Sequence, residues 1–230
     1  MKQITYTKEQ LDLLSSLFAS GVPFEYCLTT RERKDFDDYA AHQATALLTL
    51  QKVQKDLDLY FEDLLQTERY KGRSRDEFFQ ISIEPEKLTG KQISLKTFLG
   101  SYYSFDQRRA AIRGRTSKFL NSYFWAGENE TQENALKLSK EFGRINRAYA
   151  YAFFEPPYTM RGEATQKEDL FHNTEKLMFG RFDENAIIWS WSDDCSNYFD
   201  AGKEWWGTFF YTYSLPGSDT ILGMVASQTD

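Results

Sequence analysis

The chain has little of what most catalytic or disulfide-built proteins need. It holds two cysteines, Cys27 and Cys195, in 230 residues. That is too few for a disulfide framework or a thiolate-only zinc site. Its two histidines, His42 and His172, belong to no H-E-x-x-H or C-x-x-C pattern. No glycine-containing stretch has the spacing of a dinucleotide-binding or phosphate-binding loop, and no G-x-S-x-G occurs. No run reaches the roughly 18 apolar residues of a membrane-spanning helix. The opening residues, MKQITYTKEQ, lack the apolar centre of a secretory signal. These absences lead us to expect reduced cysteines, no metal, no cofactor, no membrane association and a cytoplasmic location.

What is present is aromatic and acidic. Hydrophobic residues make up 41% and aromatics 17% of the chain, enough for a folded core. Residues 1–120 carry 19 Lys and Arg against 17 Asp and Glu, whereas residues 121–230 carry 9 against 17. An acidic half repels nucleic-acid backbones and anionic lipid and attracts cations. The expected partner is therefore a basic protein and not a nucleic acid. Charge for solubility alone is the plainer alternative.

The pattern along the chain predicts one α+β domain over 1–230, helical over 1–66 and β-rich over 186–230. Its helices, one of them long and amphipathic, pack on a small C-terminal antiparallel sheet. Thr7, Gln10 and Gly21 frame a first helix with Leu11, Leu14, Leu17 and Phe18 on its apolar face. Residues 35–66 carry a helical stripe from Tyr39 through Gln43, Ala46, Leu47, Leu50, Val53, Leu57 and Phe61 to Leu64 and Leu65. FFQISIEP alternates as a strand ending near Pro85. Helices are expected at 105–124, 131–142 and 165–179, while 147–154 reads as either helix or strand. Three β-rich runs follow, AIIWSWS, GTFFYTYS and TILGMVAS. The last two are joined by LPGSD as a hairpin.

Four of the five tryptophans, Trp189, Trp191, Trp205 and Trp206, alternate with Asp193, Asp194, Asp200 and Glu204 near the C-terminus. Clustered carboxylates can bind a divalent cation or divide into acid and base. Here the spacing of a calcium loop is missing, and so is a second acidic motif. A solvated loop or a docking face is the better reading. Trp205-Trp206 is a candidate aromatic anchor, with alternation turning one indole outward. His42 and His172 are expected in surface or capping roles. Cys195 reads as a half-buried structural thiol in preference to half of a Cys–His dyad. Arg108, Arg109, Arg113, Arg115 and Lys118 fan around the expected 105–124 helix, which suits ion pairs and buried stems better than nucleic-acid contact.

The segment SWSDDCSNYFDAGKEWWGTFFYTYS…TILGMVASQTD resembles the C-terminal segments of small uncharacterised bacterial proteins associated with toxin-immunity systems. The residues that carry the likeness are Trp191, Ser196, Asn197, Tyr198, Phe199, Asp200, Gly202, Glu204, Trp205, Trp206, Gly207, Thr229 and Asp230, within about a fifth of the chain. The resemblance implies a non-enzymatic cytoplasmic inhibitor that occludes a basic toxin or effector, drawn in by charge. The partner-binding residues expected are Asp193, Asp194, Tyr198, Asp200, Glu204, Trp205 and Trp206. The alternatives are a metal-dependent hydrolase or nuclease using the C-terminal carboxylates, and a structural protein that self-associates through its long helix.

Overall fold

The computed structural model describes residues 1–32, 37–75, 79–135, 138 and 147–228. In chain order they form β1 (Lys2–Gln3), α1 (Lys8–Ser20), β2 (Glu25–Thr30), α2 (Asp38–Leu65), β3 (Gly90–Ile93), α3 (Leu95–Leu99), β4 (Tyr103–Ser104), β5 (Arg109–Arg113), β6 (Tyr123–Trp125), α4 (Tyr149–Phe154), α5 (Ala164–Thr174), β7 (Ile187–Trp191), α6 (Asp200–Lys203), β8 (Thr208–Ser214) and β9 (Thr220–Ser227). The fold is mixed α+β, with the long helix and the antiparallel sheet expected of it. Backbone packing divides the chain into two compact units. One comprises Met1–Thr5, Phe24–Gln92 and Ile187–Thr229, the other Tyr6–Pro23 and Ile93–Ala186.

The first unit is a six-stranded sheet in the order β1-β2-β9-β8-β7-β3 with α2 packed on it. β8 and β9 form the expected antiparallel hairpin, Thr208 opposite Ser227 through Tyr213 opposite Leu222. Gly217 takes a left-handed φ of 72° in the connecting turn. The sheet is larger than the three C-terminal runs, because β2 pairs antiparallel with β9 from Glu25–Val225 to Thr30–Thr220.

The Asp37 carboxylate caps α2, accepting from the Ala40 N–H at 2.8 Å. Its buried face is not quite the apolar stripe. Ala41, His42, Thr45, Ala46, Thr49, Leu50, Val53 and Phe61 are buried, whereas Tyr39 at the head of the stripe is 37% exposed. The reason lies in the sheet. A Cβ placed on Gly223, in the middle of β9, would lie 2.0 Å from Thr49 Oγ1 and 3.2 Å from Thr45 Cγ2. The helix comes this close only because β9 has no side chain there and α2 presents small ones.

The hydroxyls at this contact are all bonded. Thr49 Oγ1 donates to the Thr45 carbonyl at 2.8 Å and Thr45 Oγ1 to the Ala41 carbonyl at 3.0 Å, while Thr29 Oγ1 lies 2.7 Å from Thr45 Oγ1. His42 is fully buried. Its Nδ1 lies 2.8 Å from Thr212 Oγ1 and its Nε2 3.1 Å from Ser214 Oγ. The surface or capping role expected for His42 is thus corrected: it spans α2 and β8 inside the core. Beside this polar seam sits a large apolar cluster that includes Leu50, Val53, Leu88, Trp191, Phe199, Phe210 and Val225.

The expected strand before Pro85 does not form over the described residues 79–84. Other elements claim its backbone. The Ile81 N–H donates to Gln54 Oε1 at 2.7 Å, the Ser82 N–H to Asn197 Oδ1 at 2.7 Å and the Glu84 N–H to the Cys195 carbonyl at 2.8 Å. With its donors spent in this way, the segment joins no ladder.

In the second unit α1 has the predicted capping box between Thr7 and Gln10 and a left-handed Gly21 at its end. Its inner face is Leu13 and Leu17, while Leu11 and Phe18, expected inside, are 50% and 86% exposed. The helix expected at 105–124 is replaced by the three-stranded sheet β4-β5-β6. Gly114 sits where a Cβ would meet the Phe119 carbonyl oxygen at 2.4 Å, and Arg108 takes a φ of 51° in the β4–β5 turn. The arginines there find carboxylates: Arg108 with Glu175, Arg109 with Glu128, Arg113 with Glu155 and Arg115 with Glu163. Residues 149–154 resolve as helix. Tyr149 stacks on Phe98 at 4.7 Å and joins Phe153, Phe171, Phe179 and Phe182 in an aromatic core. α5 continues into a π-helical turn, Glu175–Phe179, that ends at Gly180. Of the helix expected at 131–142, residues 131–135 and 138 are described, and 132–135 and 138 are helical. At its start Thr131 Oγ1 accepts from the Asn134 N–H at 3.2 Å.

Two outcomes follow from the seam in the first unit. Gly223→Ala is expected to cost about 2 kcal/mol or more through overpacking, and Thr49→Ala in the same chain to recover a good part of it. Urea unfolding of the four chains of this double-mutant cycle measures both. Burial pulls the His42 imidazole down to about 4. The unfolded chain therefore binds a proton in a pH range where the folded chain does not, so stability falls as the pH is lowered through the ordinary histidine range toward 4. The loss attributable to this group between pH 7 and pH 5 is about 2 kcal/mol. His42→Asn is expected to flatten that part of the stability profile, as read by denaturant midpoints. An unchanged slope would rule the assignment out.

Candidate functional site

The acid- and tryptophan-bearing segment is the loop of residues 192–207 between β7 and β8, and it is a folded cap. Ser192 ties one end down: its Oγ donates to the Lys87 carbonyl at 2.7 Å and accepts from the Thr89 N–H at 3.1 Å. Asn197 holds the middle through its bond from Ser82, and its Nδ2 donates to the Gln80 carbonyl at 3.4 Å. Gly202 and Gly207 close the far end. The Gly207 N–H donates to the Gly202 carbonyl at 2.8 Å, and a Cβ on Gly202 would lie 2.4 Å from the Gly207 oxygen. Cys195, Phe199 and Trp206 fill the interior.

This arrangement sorts the expected partner-binding residues. Trp206 is 1% exposed and packs edge-on against Phe209 at 4.9 Å. It belongs to the core, which corrects its place in the docking set. Of the adjacent pair, Trp205 is the outward indole, 43% exposed. Tyr198 is half-buried against Phe199, and its phenol takes a hydrogen bond from the Ser227 backbone. Burial raises that phenol well above its ordinary range. Asp193 is half-buried and accepts from Thr208 Oγ1 at 2.6 Å, so it fastens the loop to β8. Asp194, Asp200 and Glu204 are exposed. The outward face is thus Asp194, Asp200, Glu204 and Trp205.

Lys203 was missed in the sequence reading. Its Nζ lies 3.1 Å from Asp194 and 3.7 Å from Asp200, three residues away. The lysine tempers the acidity of the face and bridges two of its carboxylates. A helical i,i+3 spacing in DAGK was the available signal.

The chemistry open to the loop is limited. Burial pushes the Cys195 thiol up to about 11, and its Sγ donates to the Ser192 carbonyl at 3.3 Å. A thiol so placed is not a thiolate at neutral pH. Among the described residues no three His, Cys, Asp or Glu side chains gather at metal-ligating distances. Among them, too, no helix is long and apolar enough to cross a membrane. No protein-family model matches the chain, and neither a curated protein nor a solved structure is significantly similar to it.

The contrast between the paired indoles is testable. Trp206→Ala is expected to destabilise the chain by about 3–5 kcal/mol, and Trp205→Ala by less than about 1 kcal/mol. Chemical denaturation separates the two, and equal losses would mean that Trp205 is as deeply packed as its neighbour.

Proposed function

We propose that this chain is a non-enzymatic protein-binding module of the immunity type, acting in the cytoplasm to occlude a basic toxin or effector. One observation carries the reading. A half-exposed indole, Trp205, shares a loop with the exposed side chains of Asp194, Asp200, Lys203 and Glu204, and that loop is anchored through Ser192, Asn197, Gly202 and Gly207. Indoles are prominent among binding hot spots, and a net negative face, here three carboxylates against Lys203, accelerates capture of a basic partner. Anchoring favours affinity, since little loop entropy is left to lose on binding. The acidic balance of residues 121–230 points the same way.

Under this reading, the product of the gene beside this one arrests growth when expressed alone and ceases to do so when this chain is co-expressed. Asp200→Lys with Glu204→Lys is expected to abolish the rescue and leave the melting transition within a few degrees of wild type. Rescue that survives both charge reversals, with the fold intact, would overturn the assignment of this face.

A further inference from the structure

In the first unit α2 continues for twelve residues past Val53, roughly 18 Å, and of these only Phe61 is buried. This overhanging end exposes two large apolar side chains, Leu59 at 51% and Tyr60 at 54%. Its last turn carries Glu62 and Asp63, both exposed, and no basic residue. Carboxylates placed there add to the negative end of the helix dipole, which a cation would relieve. Among the described residues no cation pairs with either of them: Lys71 faces Glu68 and Arg75 faces Asp58.

Cations of the right kind lie just beyond this end but do not turn back to it. Residues 66–73 form a turn held by its own backbone. The Thr67 N–H donates to the Leu64 carbonyl at 2.9 Å, the Lys71 N–H to the Thr67 carbonyl at 3.0 Å and the Arg73 N–H to the Tyr70 carbonyl at 3.0 Å. In that turn the Arg69 and Arg73 guanidiniums lie over the Tyr70 ring, at 5.6 and 5.3 Å from its centre. Both arginines are exposed, and neither pairs with a carboxylate among the described residues. One chain thus carries two matching patches side by side. The acidic one holds Leu59 and Tyr60, and the basic one is built on Tyr70.

We propose that the overhanging end of α2 and the turn after it form a self-complementary surface that binds a second copy of this chain. A two-fold axis between the patches sets each against its opposite on the other copy. Glu62 and Asp63 of one copy then meet Arg69 and Arg73 of the other, and the reverse pairing follows by symmetry. Leu59 and Tyr60 are covered by the Tyr70 ring and the aliphatic stems of the arginines, residue types common in interfaces. The contact involves none of the residues of the 192–207 loop.

Sedimentation velocity of the full chain tests this with reciprocal charge reversals. Wild type is expected to dimerise with a Kd of about 10–100 μM, weak because the contact is small, and to dissociate as salt is raised. Glu62→Arg with Asp63→Arg, and separately Arg69→Glu with Arg73→Glu, are each expected to weaken self-association at least about tenfold. All of these side chains are exposed, so melting temperatures are expected to stay near that of wild type. An equimolar mixture of the two variants restores every acid–arginine match and is expected to form the mixed dimer. A wild type that stays monomeric at about 1 mM overturns the proposal. So does an affinity that neither reversal changes, or a pair of variants that do not combine.

Discussion

The approach of α2 to β9 at Gly223 is the constraint on which the first unit depends. Helix and sheet can meet this closely only where one side has no Cβ and the other carries threonines. Once that distance is set, larger residues along α2 reach the sheet on either side of the contact, and Leu50 and Val53 meet Phe210 and Val225. The closeness also brings polar atoms inside. An isolated hydroxyl or imidazole in such a place would be destabilising, but each has a partner, down to the Trp191 indole N–H that donates to Thr212 Oγ1 at 2.9 Å. A seam of this kind tolerates few alternatives, because sliding α2 by one turn would leave several of these groups unbonded at once.

The loop that carries the candidate site inherits its rigidity from that core. Trp191 and Phe199 sit in the same cluster as Leu50, so the loop leaves a packed position and is packed again at its middle. The segment before Pro85 then lies along the loop and is bonded to it through Asn197 and Cys195. Most of the residues of this segment therefore build the cap. Asn197, Phe199, Gly202, Trp206 and Gly207 shape the backbone or fill the interior. The outward residues are Asp200, Glu204 and Trp205, together with Asp194.

Much of the architecture was legible where a local signal was self-sufficient. The capping box of α1, the length of α2, the β8–β9 hairpin and its turn all follow from residues within a few positions of one another. What was not legible depended on partners far along the chain. His42 reads as a surface residue until Thr212 and Ser214 are brought to it. The 105–124 segment has the spacing of a helix, yet its arginines and Gly114 are satisfied only in a twisted three-stranded sheet with distant glutamates. The FFQISIEP alternation is real, but its hydrogen bonds go to side chains and loops. At the candidate site the acids and indoles were identifiable by type. Which indole faced outward, and the counterion among the acids, required the fold.

The order of strands in the larger sheet bears on how the chain is made. β9 lies between β2 and β8, and it leaves the ribosome after both of them. Until it emerges, β2 has lost the neighbour it shares with the hairpin, and α2 has no glycine strand to settle against. The nascent first unit must therefore wait with two open sheet edges, a state in which chaperone contact or mispairing competes with folding. The second unit's Ile93–Ala186 portion is translated before β7, β8 and β9, so it can condense while the first unit is still incomplete.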